Sequence, residues 1–308
     1  MIFEVESQKR ILASLHMPKP RNPERCIFIG SGDSYVSCLL STYLSGFRSP
    51  SFTPSEIITF PTIARRHEVF FVSISGKTSA NIHAANVMNS YNIKTTAVTA
   101  DYNSPLAKTC KNLIWIDIPP STQPTSGTLT FSASALTCMG LVTDEVKTSL
   151  IASMFSKCEE MLRDKTDYLF NNCLYVFLAN NFLYPCAVYG KLKINEIFGY
   201  PSSAYCIDEF FHAPIFSLRV HDCILLLENS EYKKHSSEKK IYGMLSRARL
   251  RVLPIRSLRR TLFEKIMSSI FTQQIIFATQ ARKLGLRDCA FIRNKKFLSL
   301  SSEVIYRA

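Results

Sequence analysis

Short apolar runs alternate with longer segments of helical periodicity from about residue 25 onward. Apolar runs separated by helices of about ten residues or more are typical of a buried parallel sheet with helices on both faces. In the first half the predicted strands are 25–29, 69–74, 95–99 and 113–118, and the predicted helices are 35–44, 79–91 and 131–146. This half is therefore predicted to be a parallel α/β domain.

The same alternation restarts in the second half, after a predicted connecting helix over 149–168. The predicted strands there are 173–179, 203–207, 222–227 and 250–255, and the predicted helices are 184–198, 236–247 and 263–283. Two halves of similar pattern, joined near residue 150, indicate a structural duplication. The prediction rests on pattern, because direct sequence identity between the halves is weak.

Composition is that of a globular protein, with 46% hydrophobic and 20% charged residues. No apolar run reaches the roughly 18 residues that span a membrane, and the first residues lack the shape of a signal peptide. We therefore expect a cytoplasmic protein with no membrane partner. The ten cysteines are scattered, with no Cys-x-x-Cys pair, so we expect them to pack as small hydrophobic residues.

The chain is basic, with 37 Lys and Arg against 24 Asp and Glu and a formal net charge of +13. Much of the excess lies between Lys233 and Lys265. A nucleic-acid site would need stacking aromatic residues or a docking motif, and only Tyr242 and Phe263 are interleaved there. We therefore favour a solvated basic surface that attracts anionic metabolites, and not a nucleic-acid partner.

Two hydroxyl-bearing loops follow predicted strands and precede predicted helices. One is Ser73-Ile74-Ser75-Gly76-Lys77-Thr78, and the other is Gly30-Ser31-Gly32-Asp33-Ser34. Backbone N–H groups at a helix N-terminus favour an anion, and open α/β sheets bind ligands at the carboxyl ends of strands. Ser and Thr also cap helices, so each loop alone leaves both interpretations open. Neither loop has the Walker pattern, and Gly30-x-Gly32 lacks the third glycine of a dinucleotide site.

Further segments follow these loops in a recognisable order. They are Asn103-Ser104-Pro105-Leu106-Ala107, Tyr184-Pro185, Gly190-Lys191-Leu192-Lys193-Ile194-Asn195-Glu196-Ile197 and Asp208-Glu209-Phe210-Phe211-His212-Ala213-Pro214. With the two loops, they make the chain resemble the sugar isomerase (SIS) domain family, and within it the isomerase half of glucosamine-6-phosphate synthase. The resemblance covers roughly residues 25–300. It implies two flavodoxin-like, three-layer αβα domains with parallel sheets.

Pattern and resemblance together give the predicted organisation. It comprises an N-terminal segment 1–24, a first SIS domain 25–148, a connecting helix 149–170, a second SIS domain 171–285 and a C-terminal tail 286–308 near the active site. Only a short amphipathic segment precedes residue 25, so we do not expect this chain to release ammonia from glutamine by itself.

The resemblance also implies roles for matching residues. Ser34, Ser73, Ser75 and Thr78, with Gly32, would bind the sugar phosphate. Glu196 would move a proton between C1 and C2 of the open-chain sugar. His212 would assist ring opening, from the neighbouring subunit of a homodimer. Lys193 would contact the sugar or tune the base, and Lys296, or Lys295 in the next register, would form a Schiff base.

The residue types suit this chemistry. Isomerisation through an enediol needs a carboxylate that accepts and returns a proton, and a group that protonates the ring oxygen. Lys193 and Glu196 are three residues apart and share a helix face, so they could equally form a surface ion pair. His212 could equally be a hydrogen-bonded core histidine. No cofactor or metal is expected, because Lys193 and backbone dipoles can meet the enediol charge.

Several positions depart from the family pattern. Asp33 replaces a threonine, Ile74 stands between the two serines, Tyr189 replaces an acidic residue, and Ala213 replaces a glycine. A carboxylate at position 33 would repel a phosphate unless it points away. Ser126-Gly127-Thr128 matches the synthase's loop after the fifth strand only loosely. These changes bear on which phosphosugar is the substrate more than on whether the ligand is a phosphosugar.

The sequence therefore predicts an isomerase, or an aminosugar-phosphate deaminase/isomerase, that acts on hexose or hexosamine 6-phosphates through an enediol. The alternative is a phosphosugar-sensing regulatory protein without catalysis, because fold alone does not decide between them. A phosphoglucose/phosphomannose isomerase shares the fold and fits the second half less well.

Overall fold

The computed structural model describes residues 1–120, 125–163, 173–228, 237–258 and 261–307. The chain divides into two compact units. The first unit contains Arg10–Ser149 and the chain from Asn294 onward, and the second contains Met1–Lys9 and Leu150–Arg293. Each terminal segment therefore belongs to the unit built by the other half of the chain.

The first unit is built on a five-stranded parallel sheet in the order β2-β1-β3-β4-β5. Its strands are β1 (Cys26–Ile29), β2 (Ser51–Phe52), β3 (Glu68–Val72), β4 (Lys94–Thr99) and β5 (Asn112–Trp115). The helices from the N-terminus to residue 142 are α1 (Ile2–Ile11), α2 (Asp33–Leu44), α3 (Pro54–Thr59), α4 (Ser79–Ser90), α5 (Pro105–Thr109) and α6 (Leu129–Val142).

Burial explains the arrangement of the first sheet. All four residues of β1 and the last four of β3 are buried, as expected of central strands covered on both faces. Helix α6 packs against α2, and thirteen of its residues are buried. Strand β5 is an edge strand, and its Leu113 and Trp115 side chains are exposed.

The second unit is built on a four-stranded parallel sheet in the order β7-β6-β8-β9. Its strands are β6 (Tyr175–Ala179), β7 (Ser202–Cys206), β8 (Cys223–Glu228) and β9 (Arg251–Arg256). The remaining helices are α7 (Ile151–Leu162), α8 (Tyr184–Lys193), α9 (Ile207–His212), α10 (Ser237–Arg247), α11 (Leu262–Lys283), α12 (Ala290–Arg293) and α13 (Lys295–Tyr306), and α13 belongs to the first unit.

Helix α11 is the long central helix of the second unit. It begins at a capping box in which the Thr261 hydroxyl accepts from the Glu264 N–H and the Glu264 carboxylate accepts from the Thr261 N–H. It packs against α7 and α8. Helix α1 is tied to this unit, because Glu6 pairs with Arg282 and Gln8 Nε2 donates to Gln274 Oε1 at 2.8 Å.

The structure confirms the predicted fold class, two parallel-sheet α/β domains. The predicted strand 69–74 ends earlier, at Val72, because the chain turns there and the Ser73 carbonyl accepts from the Gly76 N–H at 3.0 Å. The elements that were not predicted are strand β2 and helices α1, α3, α5, α9, α12 and α13. Strand β2 has two residues, too few to show a periodicity.

Other expectations meet only part of the structure. Nine of the ten cysteines are buried, which confirms their packing role. Among the described residues no helix is long and apolar enough to cross a membrane. Of the basic stretch 233–265, residues 233–236 and 259–260 lie outside the described residues, as do 164–168 of the predicted connecting helix.

Candidate functional site

The loop between β1 and α2 needs both of its glycines. A Cβ at Gly30 would lie 2.7 Å from the Ser34 carbonyl carbon, so no larger residue fits there. Gly32 is the N-cap of α2 and has φ +56, in the region that favours glycine. Ser34 follows in the first turn of α2 and is half-buried. The loop is therefore a tight turn between the buried strand β1 and the N-terminus of α2.

Asp33 begins α2, and its carboxylate is directed toward the loop before α6. Its Oδ1 atom is buried, and its Oδ2 lies 3.5 Å from the place a Cβ on Gly127 would take. Residues 126–128 therefore face the acidic residue that departs from the family pattern. The Asp33 carboxylate lies at the start of α2, where the helix dipole favours negative charge.

The loop between β3 and α4 brings two of the predicted phosphate-binding hydroxyls together. The Ser73 hydroxyl lies 3.2 Å from the Thr78 hydroxyl, and Ser73 is only 4% exposed. The Ser75 hydroxyl accepts from the Lys77 N–H at 3.3 Å, so it shapes the turn. Ile74 is anchored through its carbonyl, which accepts from the Thr99 hydroxyl at 2.9 Å.

Helix α4 offers an uncapped N-terminus beside these hydroxyls. Thr78 occupies the N-cap position, yet its side chain makes no capping hydrogen bond. The first N–H in the helix to bond back is that of Ile82, which donates to the Thr78 carbonyl at 3.1 Å. Among the described residues no partner contacts the preceding N–H groups of the first turn, which suits them to bind an anion. For Thr78 the capping interpretation is therefore wrong, and its role in phosphate binding stays a prediction.

Gly76 is fixed by the segment that resembles the family's Ser-Pro-Leu-Ala sequence. Its φ is +59, and a Cβ there would fall on the Ser104 side chain. Ser104 caps α5 by accepting from the Ala107 N–H, and the Leu106 N–H donates to the Gly76 carbonyl at 3.0 Å. This segment therefore holds the Ser73–Thr78 loop in place through its contacts with Gly76. That structural role was not predicted from the sequence.

The second unit brings Lys193 and Glu196 together at the end of α8. The helix continues from Lys193 into a π-helical turn, Ile194–Phe198, of a kind often found at functional sites. Lys193 Nζ lies 2.6 Å from Glu196 Oε2. The Lys193 side chain is fully buried, whereas that of Glu196 is 35% exposed. The pair is therefore not the surface ion pair that the sequence left open.

A chain of buried polar groups lies behind Lys193. Its Nζ is 5.4 Å from the centroid of the Tyr189 ring, and the Tyr189 hydroxyl accepts from Gln274 Nε2 at 2.9 Å. Gln274 in turn accepts from Gln8 of α1. Tyr189, Gln274 and Gln8 are all fully buried. In the sequence, Tyr189 was visible only as a departure from the family pattern. The roles of Gln8 and Gln274 were not predicted, because two residues 266 positions apart show no local pattern.

His212 ends the short helix α9 and is exposed. Among the described residues no hydrogen bond or ion pair involves its ring, so it is not a hydrogen-bonded core histidine. The structure therefore leaves this imidazole open to solvent within its own chain. Whether it serves the site of a second subunit stays a prediction.

Lys296 lies in the first turn of α13 and is exposed, as is Lys295. The other end of this helix touches α4, where the Ser79 hydroxyl donates to the Ile305 carbonyl at 2.9 Å. Nine residues of helix, about 14 Å, separate Lys296 from that contact. The far end of the C-terminal helix thus contacts the first residue of α4, and the Schiff-base role of Lys296 stays a prediction.

Buried thiols are poor nucleophile candidates in this chain. Burial raises the pKa of Cys186, at the base of α8, to about 12. Burial likewise raises the pKa of Cys206, with Glu209 and Asp208 adding to the shift. The reactive form of a cysteine is the thiolate, so both thiols are inert near neutral pH. No group of three or more His, Cys, Asp and Glu among the described residues could hold a metal ion.

Comparison with known proteins confirms the resemblance. Residues 21–143 match the family model described as SIS domain. No curated protein sequence matches the chain. Matching solved structures include glucosamine-6-phosphate deaminase from Thermotoga maritima, with a TM-score of 0.72 and 19% identity over 92% of this chain and 94% of that one.

Two other solved structures have the same fold. Tagatose-6-phosphate ketose/aldose isomerase from Escherichia coli gives a TM-score of 0.70 at 16% identity, covering 85% of this chain and 83% of that one. The C-terminal domain of glucosamine-fructose-6-phosphate aminotransferase from Francisella tularensis gives 0.65 at 15% identity, covering 91% and 95%. At these identities the likeness establishes the fold, and the family match lies within the first half of the chain, over residues 21–143.

Proposed function

We propose that this chain, whose residues 21–143 form a SIS domain, is an isomerase or deaminase/isomerase of hexose or hexosamine 6-phosphates. The SIS domain and the phosphosugar enzymes among the structural neighbours support the phosphosugar class. The observation that carries the catalytic proposal is the fully buried Lys193 paired with the partly exposed Glu196 on a π-helical turn.

The phosphate would bind at the Ser73–Thr78 loop. Support comes from the paired Ser73 and Thr78 hydroxyls and the available N–H groups of α4. A helix N-terminus holds an anion without a lysine or a metal. Ser34, and the turn made by Gly32, would extend the donor set at the start of α2.

Glu196 would act as the base that carries a proton between C1 and C2 of the open-chain sugar. Lys193 Nζ lies 2.6 Å from Glu196 Oε2, and this ion pair fixes the side chain of the proposed base. His212 would open the sugar ring. Its imidazole is exposed and has no hydrogen-bond or ion-pair partner among the described residues, which suits a group donated to a second subunit. Lys296 is retained as the candidate for a Schiff base.

A regulatory protein that senses a phosphosugar is the second candidate. The observation that favours it is Ile74, which places an apolar side chain between the two serines of the Ser73–Thr78 loop. Asp33 adds a carboxylate at the start of α2. Both positions depart from the family pattern, and departures of this kind favour a member that binds a phosphosugar without turning it over.

The variant Glu196→Gln separates the two candidates. We expect wild-type protein to interconvert fructose, glucose or mannose 6-phosphate, or to release ammonia from glucosamine 6-phosphate. The variant should lose turnover by about 10²–10⁴-fold, the usual contribution of a general base, and keep phosphosugar binding in a thermal-shift assay. Glu160→Gln, at an exposed position of α7, is the control and should keep full turnover.

One result would decide against the enzyme, and another would decide against the role of Glu196. Stabilisation of wild-type protein by a phosphosugar, but not by free fructose, with no turnover would establish the sensor. Turnover that survives in Glu196→Gln would remove Glu196 from the mechanism.

A further inference from the structure

A cavity of about 510 Å³ lies at the amino-terminal edge of the first sheet. Strands β1, β3 and β4 are neighbours in that sheet, so the segments that lead into them meet at this edge. The walls come from residues 21, 22, 25 and 26, from residues 65–68 and from residues 91–94. Five residue rises of β3, about 17 Å, separate Glu68 in this cavity from Ser73 at the opposite end of the strand. Its volume is typical of a small-molecule site.

The cavity is lined by cations that have few counter-charges. The basic side chains are those of Arg21, Arg25, Arg65, Arg66 and Lys94, and the acidic one is that of Glu68. Glu68 is already engaged, because its Oε2 lies 2.9 Å from Lys94 Nζ and its Oε1 accepts from the Thr96 hydroxyl at 2.6 Å. Within the described parts of the chain, the four guanidinium groups form no ion pair. Four exposed guanidinium groups therefore lie around one cavity with no ion-pair partner among the described residues.

The backbone adds a second observation. Arg66 has φ 68, in the left-handed region, where a side chain costs about 1–2 kcal/mol that glycine would avoid. An arginine is thus placed at the cavity at a backbone cost, and such outliers point toward function. The C-terminal end of α4 also lies here, but its partial charge of about −0.5 does not offset four guanidinium groups.

The arrangement of the arginines indicates the ligand. A guanidinium group matches a phosphate in a two-pronged geometry. The arginines come as two pairs on different segments, one before β1 and one before β3. A single phosphate would engage one pair. Tyr91, which is 52% exposed, adds an aromatic face to the lining.

We propose that this cavity binds a small molecule with two or more linked phosphate groups, at a site separate from the Ser73–Thr78 loop. Inorganic polyphosphate and the polyphosphate of a nucleotide share this chemistry. A nucleotide would also stack its base on Tyr91. The site goes beyond the proposed function, because no hexose 6-phosphate carries linked phosphates.

The test is isothermal titration calorimetry of the full chain with sodium tripolyphosphate and with ATP, at physiological ionic strength. The cavity variant is Arg65→Gln/Arg66→Gly, in which glycine suits the positive φ. Each lost charged hydrogen bond contributes about tenfold or more to affinity, so we expect Kd to rise at least tenfold. The control Lys147→Gln/Lys157→Gln removes two exposed charges elsewhere and should change Kd less than about twofold.

A second variant, Arg21→Gln/Arg25→Gln, repeats the test should the first fail to fold, with the melting temperature as the check. Ser73→Ala/Ser75→Ala should keep polyphosphate binding while losing phosphosugar binding, which separates the two sites. Tighter binding of ATP, lost in Tyr91→Ala, would identify a nucleotide, and equal affinities would identify an inorganic polyphosphate. The proposal is overturned by no heat at millimolar ligand, by an equal loss in the lysine control, or by a loss in the Ser73/Ser75 variant.

Discussion

Gly76 shows how one residue sets the geometry of the Ser73–Thr78 loop. Its φ of +59 and its approach to the Ser104 side chain both exclude a Cβ. We expect Gly76→Ala to combine backbone strain with displacement of Ser104, lowering the free energy of unfolding by about 2–4 kcal/mol. Phosphosugar binding should fall with it, because Ser73 and Thr78 flank the displaced turn. Urea denaturation and a thermal-shift titration measure the two effects.

Gly46 provides a matched control for that substitution. It has φ +64, close to the value at Gly76, but no atom lies within 4 Å of the place its Cβ would take. Gly46→Ala should therefore show the strain alone, about 1 kcal/mol, and leave phosphosugar binding unchanged. Equal losses in the two variants would mean that the Ser104 contact does not hold the loop.

Residues of the loop could be predicted because their signals are local. Ser73, Gly76 and Thr78 lie together in sequence, between an apolar run and a helical pattern. The direction of the Asp33 carboxylate could not be predicted, because it depends on Gly127, far along the chain. The arginine-lined cavity was missed for the same reason, since only the strand order brings Arg21, Arg66 and Lys94 together.

At the scale of elements, α8 is held by α11 through Tyr189. The Tyr189 ring faces the Lys193 ammonium, and its hydroxyl accepts from Gln274. Tyr189→Phe keeps the ring but leaves the Gln274 N–H without this acceptor, so the free energy of unfolding should fall by about 1–3 kcal/mol. Turnover per folded molecule should change little, because the ring and the Lys193–Glu196 ion pair remain. Chemical denaturation and kcat at a permissive temperature test this.

Tyr189→Leu is the informative companion, because it also removes the ring beneath Lys193. We expect it to lower kcat further than Tyr189→Phe does, with KM for the phosphosugar little changed, if Tyr189 positions the Lys193–Glu196 pair. Thr279→Ala, at a partly exposed site on α11, is the control for α11 itself. Equal kcat values for the Phe and Leu variants would show that Tyr189 has only a structural role.

The helices and strands themselves were largely predictable, whereas their ends and their partners were not. Helix α11 was predicted over 263–283 and runs over Leu262–Lys283. The π-helical turn after Lys193 was not predicted, because the sequence pattern does not distinguish it from an ordinary helical turn. Helix α13 was missed although its apolar Phe297, Leu300 and Val304 repeat with helical spacing, and all three are exposed.

At the scale of the whole molecule, the two termini serve the units formed by the opposite halves of the chain. Residues 1–9 contact α7 through the Lys9–Glu159 ion pair, and α11 through Glu6 and Gln8. The C-terminal helix α13 contacts α4 of the first unit. The sequence predicted two halves joined near residue 150. It did not predict that each terminal segment belongs to the unit formed by the opposite half, because the pattern of a terminal helix does not show which element it packs against.

Deleting residues 1–9 should therefore loosen the second unit and spare the first. The buried Gln274 loses its Gln8 partner, and α11 loses its contact with Glu6, so exchange of backbone amides should accelerate in α11 and α7. Amide hydrogen exchange read by mass spectrometry should show little change in β1, β3 and α4. Truncation before Lys295 is the reciprocal control, and it should accelerate exchange in α4 while sparing α11. Faster amide exchange in both units of either truncated protein would show that losing a terminal segment does not affect only the unit to which that segment belongs.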